Sequence, residues 1–108
     1  MGAAWFTTYT VGHNPTVNFR EAVADARYEH GGGGFTGTIA EKSTYVVITG
    51  RPVSPAEAGE IAAELVDAED ERVVDSWGPA GAIPVKQPGG DPRADVPDGW
   101  LFVGWAKE

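Results

Sequence analysis

The chain has 108 residues, of which 42% are hydrophobic and 10% aromatic, and this composition predicts one folded domain over residues 1–108. Eight Lys and Arg against 16 Asp and Glu give a formal net charge of -8, which disfavours direct binding to nucleic acid phosphates. The chain has no cysteine, and no apolar run approaches the roughly 20 residues that span a bilayer. We therefore expect a cytoplasmic protein without disulfides, thiolate metal sites or membrane contacts.

The first half of the chain predicts two strands around one helix. Alternating β-branched and aromatic residues favour a strand over residues 4–11. Asn18, with Glu21 three residues later, is expected to cap a helix that ends near His30, where four glycines follow. A β-branched run predicts the second strand over residues 44–49.

The second helix has the strongest start signal in the chain. Ser54 is the expected N-cap, Pro55 fits the first turn, and Glu57 completes a capping box. After this helix we expect a short strand over residues 72–77. An edge strand should then contain Pro84, because proline cannot donate to the ladder of a sheet.

The C-terminal part is expected to contain a mobile loop over residues 87–99 and a last strand over 100–106. The order β-α-β-α-β-β predicts an α+β fold: a mixed or antiparallel sheet of about four to five strands with two helices on one face. One core is expected to bury Phe19, Val23, Val47, Ile61, Leu65 and Val103 together.

The most unusual feature is a glycine segment, residues 31–37, with five glycines. One glycine suffices to end a helix, and each further glycine adds conformational entropy that folding must remove. The excess favours an anion-binding nest for a small nucleotide-like ligand, and the alternative is a flexible connector. The expected ligand-binding residues are Arg27, His30, Gly33, Gly34, Phe35, Thr36, Gly37, Thr38 and Lys42.

Other chemical signals are weak. The spacing GxGxxG within residues 32–37 follows a helix and leads to a strand, the reverse of the dinucleotide-binding context. His13 and His30 are the only histidines, and neither has a partner at metal-ligand spacing, so no metal and no cofactor are expected. Hydrolysis of a signalling nucleotide, with His30 and Glu41 as acid and base, is a third hypothesis.

A protein-interaction module is the second hypothesis. Between Glu57 and Asp75 there are eight carboxylates and one base, Arg72. Such a run is usually a solvated helix face, but it could also bind a partner protein. The three tryptophans after residue 70 either belong to the core or lie at an oligomer interface.

Three segments together resemble small uncharacterised proteins encoded by bacteriophages of actinobacteria. They are residues 35–42 (FTGTIAEK), 77–83 (WGPAGAI) and 99–105 (GWLFVGW). The resemblance implies a phage accessory protein that acts in the cytoplasm of the host bacterium. Small phage proteins of this kind often counteract host defence, so it also implies a nucleotide signal or a host protein as the partner. A homo-oligomeric form is a further expectation.

Overall fold

The computed structural model describes residues 2–31 and 34–108. In these two stretches it contains β1 (Ala3–Val11), α1 (Pro15–His30), β2 (Tyr45–Val47), α2 (Pro55–Asp67), β3 (Ala80–Val85) and β4 (Gly99–Lys107). A 3-10 turn covers Ile39–Glu41. The predicted α+β class and the order β-α-β-α-β-β are confirmed.

The described strands form one mixed sheet in the order β1-β4-β3-β2. β4 pairs antiparallel with both β1 and β3, whereas β2 pairs parallel with β3. The long β1 and the short β2 are therefore the two edge strands, and β4, the last strand in the sequence, lies inside the sheet.

One predicted strand does not form, and another forms inside the sheet rather than at its edge. Residues 72–77 form turns, because the side chains of Asp70 and Asp75 each accept the amide two residues ahead, at 2.9 Å. Pro84 lies in the interior strand β3. Its missing N–H is tolerated because the adjacent chain leaves the sheet there: Ile48 bonds to the carbonyl of Ala82, and Val53 bonds to that of Pro84.

The helix starts follow local capping chemistry. Ser54 caps α2 as predicted, accepting the amide of Glu57 at 3.1 Å. The predicted cap of α1 is wrong: Asn14 caps it, because Pro15 fits the first helical position. Asn18 is instead buried and donates to the carbonyl of Gly12 at 3.2 Å. Among the described residues, no helix is long and apolar enough to cross a membrane.

The two helices lie on opposite faces of the sheet, which corrects the prediction that they share one face. The reason is β4, whose alternate side chains are apolar on both sides and need cover on both. The α1 face buries Phe6, Phe19, Ala22, Ile39, Ala80, Ala82, Trp100, Phe102 and Ala106. The α2 face buries Ala58, Ala62, Leu65, Val73, Ile83, Val85 and Val103.

The predicted single core is therefore wrong. Phe19 belongs to one cluster, whereas Leu65 and Val103 belong to the other. Val47 belongs to neither and is 46% exposed. Both clusters use the interior strands, so the sheet is the common wall between two half-cores.

Candidate functional site

The glycine segment places a carboxylate of the same chain where the sequence predicts an external anion. Gly34 and Phe35 have φ angles of 83° and 59°, in the left-handed region that can aim neighbouring amides at one point. Glu41 Oε2 accepts the amide of Thr36 at 3.2 Å and its hydroxyl at 2.8 Å. The expected ligand residue Gly33 lies outside the described residues.

These contacts keep Glu41 ionised. Burial alone would raise the pKa of Glu41, but hydrogen bonds from the hydroxyl and amide of Thr36 and from the amide of Phe35 outweigh it. With the nearby charge of Arg27, they hold the pKa of Glu41 below its usual value. An external anion would have to compete with this internal one.

Lys42 is not at the mouth of the glycine segment, and its expected role as an accessible ligand charge is wrong. Only 2% of the residue is exposed. Its Nζ donates to the carbonyls of Asp75, Ser76 and Gly78 at 3.2, 3.4 and 3.0 Å. Burial lowers the pKa of Lys42, and the carboxylate of Asp75 opposes that shift. The Lys42 side chain therefore stabilises the turn that precedes β3.

The two threonines of the predicted site bond to each other. Their hydroxyl oxygens are 2.8 Å apart, and Thr38 also accepts the amide of Ala40, which caps the 3-10 turn. Gly37 donates its amide to the carbonyl of Lys107 at 2.6 Å. These groups fix the glycine segment against the end of β4.

The remaining predicted residues are separated. Arg27 lines a cavity of about 290 Å3 together with Gly34 and Glu41. Phe35 packs edge-on against Trp77, with ring centroids 6.3 Å apart. His30 lines a different groove, so the described cavities do not bring His30 and Glu41 together as an acid-base pair.

A feature that the sequence analysis missed is the free edge, which we define as the outer side of β1. Gly12 donates to Asp98 and Gly2 accepts from Glu108, so the even-numbered residues of β1 bond to β4. Residues 3, 5, 7, 9 and 11 therefore direct their N–H and C=O groups away from the sheet. Within the described residues, no main-chain hydrogen bond satisfies these outward groups.

An apolar groove of about 490 Å3 runs between the free edge and α2. Trp5 and Tyr9 lie in it with 52% and 41% exposure. The Tyr9 hydroxyl accepts Gln87 Nε2 at 2.9 Å, which gives the groove one polar end. A Cβ on Gly99 would overlap this tyrosine, so the glycine makes room for its ring. The wall and floor are Ala58, Gly59, Ala62, Ala63, Val85 and Leu101.

An acidic groove of about 400 Å3 lies along β1 on the opposite face of the sheet, against α1. Asp25 and Glu29 line it from one side of α1, since residues four apart share a helix face. Thr8 and Thr10 line it from β1. His30 also lines it, with Nε2 3.9 Å from Glu29 Oε2. No lysine or arginine of the described residues lines this groove.

One sequence signal could have located this surface. Residues 3–11 contain no charged residue and no proline, in a chain where 22% of residues are charged. Exposed edge strands usually carry such protecting residues. The signal becomes interpretable only when the strand order shows that these residues form an edge.

Neither metal-binding groups nor similarity to known proteins indicates a function. Among the described residues, no group of three or more His, Asp or Glu side chains could hold a metal ion. The chain matches no known protein family, no curated protein and no solved structure.

Proposed function

We propose that this protein is a protein-interaction module that captures an extended segment of a partner protein at its free edge. The segment would join the sheet as a further strand beside β1. The observation that carries the proposal is the combination of outward main-chain groups and the adjacent apolar groove. In this mode of recognition, main-chain hydrogen bonds give affinity and side-chain pockets give specificity.

The length and composition of β1 support this role. β1 keeps continuous register with β4 over residues 3–11, whereas β2, the other edge, has only three residues. A long, uncharged edge favours pairing with another strand, and proteins normally block such edges. The half-exposed Trp5 and Tyr9 offer the large amphipathic surface that is enriched at protein interfaces.

The test uses a labelled, acetylated peptide of about seven residues in which threonine and valine alternate. We expect saturable binding by fluorescence anisotropy, and slower hydrogen exchange at the amides of Trp5, Thr7 and Tyr9. Thr7→Pro removes one outward N–H and should abolish binding. Peptide binding that leaves these three amides unprotected, or that survives Thr7→Pro, would refute capture at this edge.

A small anionic ligand at the glycine segment is a second proposal, supported by the Glu41 carboxylate already bound there and by the nearby charge of Arg27. Such a ligand would displace the carboxylate. Glu41→Gln should therefore bind inorganic phosphate or AMP more tightly than the parent chain does, as measured by the shift in melting temperature. Equal shifts in both proteins would place any bound anion elsewhere.

The resemblance to phage proteins makes a host protein the natural source of the captured segment, with the host cytoplasm as the place of action. Formation of a homo-oligomer also stays a prediction. The host source belongs to the proposal, whereas pairing of two copies at this edge is the competing outcome, and the identity of the strand that the free edge accepts distinguishes them.

A further inference from the structure

We infer that the captured segment alternates apolar and basic side chains. This inference rests on the proposed function, because it specifies the strand that would pair with the free edge. It follows from the two unlike grooves that flank β1, one on each face of the sheet.

The face of the sheet to which each partner residue points determines whether an apolar or a basic side chain is expected there. In neighbouring strands, directly opposed residues point to the same face. Partner residues opposite Trp5, Thr7 and Tyr9 would therefore stand beside the apolar groove. Partner residues opposite Thr8 and Thr10 would stand beside the acidic groove, within reach of Asp25 and Glu29 for side chains as long as lysine or arginine.

Charge complementarity favours this strand over other occupants. Among the described residues, the acidic groove is lined by two carboxylates, one histidine and no lysine or arginine, and the chain as a whole carries -8. A second copy that pairs antiparallel through β1 would bring its own Asp25 and Glu29 to the same side of the joined sheet. Like charges there oppose self-pairing, whereas basic side chains would neutralise the groove.

The test compares three labelled peptides that share alternating valines and differ only in the intervening residue, which is lysine, threonine or glutamate. At about 0.01 M salt we expect the lysine peptide to bind about tenfold more tightly than the threonine peptide, and the glutamate peptide most weakly. The double variant Asp25→Asn, Glu29→Gln should reduce the preference for lysine to less than about threefold.

A matched control separates the groove from the overall charge. The double variant Glu57→Gln, Glu64→Gln removes the same charge from two α2 residues that line neither groove, and should keep most of the preference for lysine. Equal loss of the preference in both double variants would show that only net charge matters and would overturn the inference.

The outcomes distinguish this inference from the proposed function. Equal affinity for the lysine and threonine peptides, with protected β1 amides, would reject the basic alternation and leave strand capture intact. Binding of none of the three would reject strand capture itself. Sedimentation that shows a stable dimer of the parent chain, lost in Thr7→Pro, would overturn the inference by making a second copy the occupant.

Discussion

At the scale of single residues, Lys42 shows how a charge can be buried when the main chain supplies acceptors. Its Nζ bonds to three carbonyls in the segment that leads into β3. The sequence places Lys42 just after the glycine segment, so a ligand role was the simplest expectation. The direction of its side chain depends on a turn more than 30 residues away, which no local pattern encodes.

We predict that Lys42→Met lowers the free energy of unfolding by about 1–3 kcal/mol, because it leaves carbonyls of this turn without their donor. Urea unfolding at neutral pH measures the change. Lys107→Met is the control, since the Lys107 amine lies over the Trp77 ring, 5.2 Å from its centroid. The Lys107→Met variant should lose at most about 1 kcal/mol of its free energy of unfolding. Equal costs for the two variants would contradict the structural role of Lys42.

At the scale of secondary structure, β1 should tolerate proline only at odd-numbered positions, whose N–H groups point away from the sheet. Thr7 directs its N–H outward, so Thr7→Pro should change the free energy of unfolding by less than about 1 kcal/mol. Thr8 is opposite Phe102 and donates into the sheet, so Thr8→Pro should cost about 3 kcal/mol or more. Urea unfolding compares the two variants. Similar losses would mean that the outward groups of β1 are not free.

Elements with strong local signals are predictable from this sequence. Ser54 caps α2 as expected, and Gly31 ends α1 with its amide on the carbonyl of Arg27. The strand predicted over residues 72–77 does not form, because two aspartate side chains accept main-chain amides there. β-propensity does not describe this competition. Strand order fails for a different reason. Pro84 predicts an edge only if the adjacent strand is continuous, and here it is interrupted.

The candidate site was predictable only in part. The glycine content indicates a backbone suited to an anion, but the occupant, Glu41, follows from a fold of the segment that composition does not determine. The free edge and its two grooves depend on the order β1-β4-β3-β2 and on the helices lying on opposite faces. Both are long-range properties, so local periodicity cannot supply them.

At the scale of the whole molecule, carboxylates hold two of the loops in place by accepting main-chain amides. Asp98 accepts the amides of Gln87 and Asp91, both at 2.8 Å, and Lys86 donates to the carbonyls of Arg93 and Val96. These bonds connect residues of the 87–99 segment to one another and to Lys86, which follows β3, although the mobility of the segment stays a prediction. Glu41 likewise holds the glycine segment in place by accepting the amide and the hydroxyl of Thr36. Stability should therefore depend on the ionisation of these groups.

Two effects of acid oppose each other in a chain that carries -8. Protonation relieves the general repulsion between carboxylates, which favours the folded state. However, hydrogen bonds from the amides of Asp91 and Gln87 hold the pKa of Asp98 below its ordinary value, and the pKa of Glu41 is lowered as well. In the window between the lowered and the ordinary pKa, the unfolded chain binds more protons than the folded one. Acid therefore destabilises the fold there.

We accordingly predict that the free energy of unfolding is highest above about pH 5 and falls as the pH drops below about 4, the ordinary range of carboxyl groups. The double variant Glu41→Gln, Asp98→Asn should be less stable at pH 7 and lose less stability on acidification, so its profile approaches that of the parent chain at low pH. Urea midpoints at several pH values measure both profiles. Ile83→Val is the control: a core change that costs about 0.5–1.5 kcal/mol should shift the whole profile without changing its shape. A double-variant profile that stays parallel to the parent at every pH would show that these two carboxylates do not govern acid stability.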